Sequence, residues 1–287
     1  MPIVNNNIIM KNAREKGYGV AAFNLFNYES IAWAIEAAEM EDRPVIIMLY
    51  PPCKGLIPFH AFTAITRSLA AKATVQVGLH LDHSQSFTEI MEAVAAGFSS
   101  VMIDASRLPW DANVSLTAKV VEACHAMGVD VEAELGLVGL ASNHEDFNNS
   151  AGFTKPDEAV AFIRETGADA LAVAIGSAHG TYVATPKLDL ARLAAIHAVS
   201  DVPLVLHGGT GIPDDQIREA VRVGISKMNV ATELNQAFYA KSAQFFAGHA
   251  ASSAKGSQLD FLAAIHDDMV DYFRGKIRLM SSGGSAT

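Results

Sequence analysis

Short apolar runs rich in valine, isoleucine and leucine recur along the chain, separated by stretches that read as helices. The runs predicted to be strands cover residues 19–24, 45–49, 75–82, 100–104, 130–136, 170–176, 203–208 and 225–231. They are continuously apolar rather than alternating, as expected of parallel strands covered on both faces. Ser86 with Glu89 forms a capping-box pattern that starts a helix. Pro156 followed by Asp157 and Glu158, and Pro213 followed by Asp214 and Asp215, read as first helical turns whose carboxylates suit the positive dipole end. Residues 31–40 are alanine-rich and helical by propensity. Eight strands, each with its own helix, at spacings of about 25 to 40 residues, predict an α/β chain closed into a (β/α)8 TIM barrel. The alternative is a Rossmann-like open sheet, but no GxGxxG follows the first strand.

The segment 248–258, GHAASSAKGSQ, is a small-residue break before a last helix over 259–279, and the tail SSGGSAT reads as frayed. The expectation is one barrel domain over 1–287, with 248–287 a C-terminal helical extension and flexible tail. The longest interval between strands, the fifth to the sixth, contains GLVGLASNHEDFNNSAG, a polar loop placed to overhang the mouth as a lid.

A chain of 287 residues, 50% hydrophobic, can bury a large core. Its net charge of −10, from 21 basic and 31 acidic residues, argues against nucleic acid or an anionic membrane surface as partner. A small anionic substrate stays compatible, because backbone N–H groups and a metal can hold phosphate inside an acidic protein. Cys53 and Cys124 are far apart in no ligand-like spacing, which points to a reducing, cytoplasmic setting. The start, MPIVNNNIIMKNAREKGYG, lacks a continuous apolar stretch, and no apolar run approaches membrane-spanning length.

The candidate chemistry collects at strand ends. His83, His179 and His207 stand where predicted strands give out, in HLDH, AIGSAHG and VLHGGTG. Strand carboxyl ends share one mouth in such a barrel, and three neutral imidazoles converging there leave an open position for water or substrate, the usual catalytic zinc arrangement. Asp82 adds a carboxylate, although neighbours on a regular strand point to opposite faces, so Asp82 and His83 require the strand to have ended or bent. His80 shares the face of Asp82 and suits a supporting role. Glu134 reads equally as a paired metal ligand or as a buried hydrogen-bonded carboxylate, and Asp104 is a weaker case of the same kind. Gly208, Gly209 and Thr210, with Gly180 and with Asn229, Val230, Ala231 and Thr232, suit a phosphate site after the last strands; the alternative for the glycines is an ordinary tight turn. Lys227 on the eighth strand raises a Schiff-base alternative, set against a structural lysine deeper in the barrel.

AFN (22–24), HLDH (80–83), SVMIDAS (100–106), VEAELG (131–136), AVAIGSAHG (172–180), PLVLHGGTG (203–211) and NVATEL (229–234) together resemble the class II, zinc-dependent ketose-bisphosphate aldolases, most nearly the tagatose-bisphosphate branch. The resemblance implies one catalytic Zn2+ per subunit on His83, His179 and His207, with Glu134 as a further candidate ligand. It implies Asp82 as the acid/base for the C4 hydroxyl, and a phosphosugar substrate contacted by Asn24 and the glycine-rich loops. A monovalent cation (Na+ or K+) near the phosphate and a homodimer or homotetramer belong to the same implication. So does a lid acid, for which Glu145 is the candidate and Asp146 the second. Three departures stand out: extra residues before Glu145, Tyr50 where a Ser or Thr is typical, and Ala231 where fructose-specific members carry Asp. Arg278 resembles a C-terminal arginine that some members extend across a subunit boundary to the distal phosphate, or is a helix-end cation. The expected reaction is reversible cleavage of a ketose 1,6-bisphosphate, tagatose or fructose type, to dihydroxyacetone phosphate and glyceraldehyde 3-phosphate. The alternatives are a different aldehyde partner or a non-catalytic phosphosugar-binding subunit.

Overall fold

A computed structural model describes residues 3–250 and 257–282. The eight strands are β1 (Val20–Asn24), β2 (Val45–Leu49), β3 (Val77–Ser84), β4 (Ser100–Ile103), β5 (Asp130–Leu135), β6 (Ala170–Val173), β7 (Leu204–Leu206) and β8 (Ile225–Val230). They pair in parallel in chain order and β8 closes on β1, which makes the expected barrel. The helices are α1 (Asn6–Lys16), α2 (Tyr28–Glu41), α3 (Phe59–Ala70), α4 (Phe87–Ala96), α5 (Trp110–His125), α6 (His144–Asn148) and α7 (Pro156–Thr166). They continue with α8 (Leu190–Val199), α9 (Asp214–Val223), α10 (Thr232–Ala250) and α11 (Gln258–Ser281).

Local signals act where the sequence places them. The Ser86 side chain accepts from Glu89 N at the start of α4, but Glu89 Oε2 accepts from Ser84 Oγ at 2.7 Å, so the reciprocal half of the capping box is redirected into β3. Several strands end earlier than their apolar runs. β6 stops at Val173 and β7 at Leu206, because the residues beyond leave the ladder for loops that turn through Gly176 and Gly208 at positive φ.

The core has two parts. Outward-facing strand residues pack under the helices, while Val20, Ala22, Ile46, Met48, Ala170, Ala172 and Val205 fill the lower barrel interior. Ile9, Met10 and Ala13 of α1 join that inner cluster and close the barrel's base. This helix was not anticipated from the apolar pattern. Its asparagine-rich start masks a buried stripe at helical spacing.

The last helix is less an appendage than a member of the outer ring. Phe273 of α11 stacks edge-on against Phe23 of β1, and Gly19 N donates to Met280 O at 2.8 Å. α11 also runs along α2 through His266–Glu36 and Arg274–Glu41 contacts. α10 lies antiparallel to its first half, joined by Lys241–Asp268 and by Phe245 against Phe261. Of the expected small-residue break, 248–250 belong to α10. Residues 251–256 and tail residues 283–287 lie outside the described residues.

Gly78 marks the tightest point of the base: a Cβ there would lie 2.1 Å from Asn6 Oδ1 and 3.0 Å from Ile46 Cγ1. Gly78→Ala is therefore expected to lower stability by about 1–3 kcal/mol, read as a lower urea midpoint at unchanged slope. An unmoved midpoint would show that α1 does not press on the barrel floor.

Candidate active site at the barrel mouth

In-register neighbours on adjacent parallel strands face the same way. Met48 pairs with His80, His80 with Ser100, Met102 with Glu132, and Val205 with Lys227. Above the apolar floor the interior therefore turns polar. His80, Asp82, Glu132, Glu134, His207, Lys227 and Asn229 are all buried there.

Glu132 is the hub of that layer. Its carboxylate accepts from Lys227 Nζ at 2.8 Å and from His207 Nε2 at 2.9 Å. Lys227 is fully buried and committed to this pair, beneath the cavity rather than lining it, which places its nitrogen away from Schiff-base chemistry. His80 pairs through Nδ1 with Ser100 Oγ at 2.8 Å and stays below the mouth. Burial and the nearby Lys227 charge depress His80 to about 3, so it is neutral.

β3 resolves the parity conflict at Asp82 and His83 by bending. Its register against β4 shifts between Leu81 and Ser84, and His83 takes φ 47°, a left-handed conformation rare for a side-chain-bearing residue. Both side chains consequently line the mouth. His83 Nδ1 donates to Asp104 Oδ2 at 3.0 Å, which orients the ring. Asp82 accepts from Asn24 Nδ2 at 2.7 Å and from Asn229 Nδ2 at 2.8 Å, so each carboxylate oxygen is held by a different strand end. Burial alone would raise Asp82, but the positive charge of His83, His207 and Lys227 outweighs it and holds the carboxyl below its usual range.

One ligand atom each from His83, His179 and His207 lies within 4.8 Å of the others, as does one each from His83, Asp104 and Glu134. The donor set fits a divalent ion. His179 Nε2 is buried with no hydrogen-bond partner, and burial with the neighbouring rings depresses His179 to about 3, leaving a neutral imidazole. His207 differs, because Nδ1 donates to Glu134 at 3.0 Å while Nε2 donates to Glu132. Against the effect of burial, these two carboxylates raise His207 to about 9. Ligation by His207 therefore requires release of a proton. Glu132 already has Lys227, so Glu134 is the carboxylate able to free the ring, or to join a cation beside it.

Above these groups opens a cavity of about 330 Å3. Asn24, Glu134, Gly180, Gly208, Gly209, Thr210, Asn229, Ala231 and Thr232 line it together with Asp82, His83 and His179. Gly208 sits at φ +66°, where a Cβ would meet Ala178 O at 2.3 Å, so no larger residue fits. Tyr182, which sequence reasoning missed, clamps this wall: its hydroxyl accepts from Ala178 N and donates to Gly208 O at 2.9 Å. Tyr50 also lines the cavity, along with Gln85, Ser106 and Arg107, which had no distinguishing pattern beyond lying in or just after the HLDH and SVMIDAS motifs.

Three expected positions fall elsewhere, and Arg278, expected to act across a subunit boundary, lies away from this chain's own mouth. Val230 points outward into the layer beneath the helices and does not line the cavity. Glu145 is exposed at the start of α6 and does not line the cavity, because Phe147 is the residue that turns inward and anchors that helix. Asp146 is occupied within the loop, accepting from Leu140 N and Asn143 Nδ2, each at 2.7 Å. The loop itself does cover the mouth: Val138 and Leu140 line the cavity, and Ala141 N donates to His179 O at 2.9 Å. Arg278 lies at the opposite end of the barrel, donating to Glu41 at 2.7 Å, because α11 descends along α2 toward the base.

Residues 4–285 match the family model described as fructose-bisphosphate aldolase class-II. The YdjI aldolase of Escherichia coli K12 has a similar structure, 34% identical, TM-score 0.87, with 99% of this chain and 100% of that chain covered. A fructose-bisphosphate aldolase from Campylobacter jejuni shares the fold at 21% identity, TM-score 0.81, covering 97% and 95%. The chain belongs to the class II fructose-bisphosphate aldolase family. It is an aldolase, a carbon–carbon lyase of a generally metal-dependent family.

Lys227→Met would leave the Glu132 carboxylate buried with only His207 to balance it. The expected loss is about 3–5 kcal/mol of unfolding free energy. A double variant, Lys227→Met with Glu132→Gln, should recover much of that loss; equal destabilisation in both would disprove the coupling.

Proposed function

We propose that this protein is a zinc-dependent aldolase that reversibly cleaves a ketose 1,6-bisphosphate, of tagatose or fructose type, to dihydroxyacetone phosphate and glyceraldehyde 3-phosphate. One observation carries the reading: His83, His179 and His207 converge beside Asp82, at a mouth whose other wall is glycine-rich backbone. Breaking C3–C4 leaves an electron pair that must delocalise onto the C2 oxygen, and a divalent ion on the three histidines supplies the Lewis acidity that this charge needs. Asp82 takes the C4 hydroxyl proton as the bond breaks, and Asn24 and Asn229 keep both its oxygens oriented for that transfer. The backbone of Gly180, Gly208 and Gly209, with the hydroxyls of Thr210 and Thr232, receives the dihydroxyacetone phosphate end; a monovalent cation beside it is part of the same reading. Glu145 can return a proton to C3 only if the lid carries it inward, since it stands outside the cavity.

A second reading keeps the chemistry and changes the aldehyde. Tyr50 on the cavity wall supports it, because an aromatic ring narrows the place where the aldehyde half must lie. A homodimer or homotetramer is also proposed, supported by the exposed Tyr239, Phe246 and Leu259 on α10 and α11. A cytoplasmic setting accords with the two free cysteines. Among the described residues no helix is long and apolar enough to cross a membrane.

A chelator should abolish cleavage and zinc should restore it, whereas borohydride with substrate should trap no adduct. Asp82→Asn should lower kcat by about 10²–10⁴-fold while the protein still binds zinc. Undiminished turnover in that variant, or full activity after metal removal, would refute the mechanism.

A further inference from the structure

The two walls of the mouth differ in chemistry. The loops after β6, β7 and β8 offer glycine backbone and threonine hydroxyls, whereas those after β2, β3 and β4 bring Tyr50, Gln85, Ser106 and Arg107. In a closed ring of eight strands β4 lies across from β8, and the histidine cluster stands between the walls. Among the described residues, Arg107 is the only lysine or arginine that lines the cavity.

Arg107 is exposed and its guanidinium makes no hydrogen bond or ion pair with the described residues. Other cations near the mouth are engaged, Lys54 with Glu92 and Lys227 with Glu132. The main chain that carries Arg107 is nevertheless fixed. Ser106 Oγ donates to Asp104 Oδ1 at 2.7 Å, Ser106 N donates to the same oxygen at 3.3 Å, and Asp104 holds His83. A pinned base with an unpaired guanidinium suits capture of an anion arriving with substrate, since the planar fork matches a carboxylate or phosphate with two N–H groups.

We propose that Arg107, with Tyr50 on the same wall, receives a terminal anionic group, phosphate or carboxylate, on the aldehyde half of the substrate. The inference rests on the aldolase reading above. With dihydroxyacetone phosphate held at the β6–β8 wall and the reacting carbons at the histidines, the remaining carbons extend toward β2–β4. An uncharged end there leaves Arg107 to water. A charged end gains a partner with no competing protein carboxylate on the guanidinium, so discrimination falls on the charge of the aldehyde.

The test is zinc-loaded condensation of dihydroxyacetone phosphate with glyceraldehyde 3-phosphate, succinic semialdehyde and uncharged glyceraldehyde. Wild-type enzyme should prefer at least one anionic aldehyde. Arg107→Met should reduce the anionic-to-neutral ratio of kcat/KM at least tenfold, chiefly through KM, and Arg107→Lys should restore part of it. Whichever anionic aldehyde loses more identifies phosphate or carboxylate as the group bound. A wild-type preference for neutral glyceraldehyde, a ratio unmoved by Arg107→Met, or an equal fall for all three aldehydes would overturn the assignment. Wild-type protein that condenses none of them, and exchanges no C3 proton of dihydroxyacetone phosphate with solvent, would overturn the aldolase reading and this inference with it.

Discussion

Halfway up the barrel, a lysine ammonium and a glutamate carboxylate meet at 2.8 Å, both buried. Desolvating two charges costs several kcal/mol per ion, which close pairing and further hydrogen bonds must offset. Lys227 and Glu132 meet that condition because β5 and β8 both aim inward at this level, and because His207 takes the second carboxylate oxygen at 2.9 Å. The pair thus forms a polar floor on which the mouth is built. Beneath it the interior is aliphatic and sealed by α1; above it, every inward group is a candidate for chemistry.

A second constraint is local. His83 adopts a conformation that costs of order 1–3 kcal/mol, and it persists because its surroundings over-determine it. Asp104 holds the ring, the following Ser84 returns to the β3–β4 ladder, and Glu89 draws Ser84 toward α4. The benefit is geometric: consecutive residues contribute a carboxylate and an imidazole to one site, which a regular strand cannot do. Asn24 and Asn229, from the strands that close the barrel on each other, then fix the carboxylate from both sides.

The lid is tied to the site through backbone rather than side chains. Its segment before α6 pairs with the main chain at His179, and Asp146 braces the turn that follows. Any movement of this loop therefore acts on the position of a candidate metal-binding ring as well as on access to the cavity. Tyr182 ties the same neighbourhood to Gly208, so the loops after β6 and β7 behave as one wall.

Strand order and the starts of α4, α7 and α9 were legible along the chain, because they depend on apolar runs and on groups within a few residues of each other, as Ser86 and Glu89 illustrate. The strand-end histidines were legible for the same reason: in a parallel barrel, position along a strand already says which end a residue occupies. Features set by long-range contacts were not. The left-handed turn at His83 arises from pairing between β3 and β4; the place of Arg278 depends on α11 running down α2; and the bond between Lys227 and Glu132 joins residues 95 positions apart. Side-chain direction, pairing of buried charge and the choice between mouth and base depend on contacts distant in the chain, and those exist only once the barrel has closed.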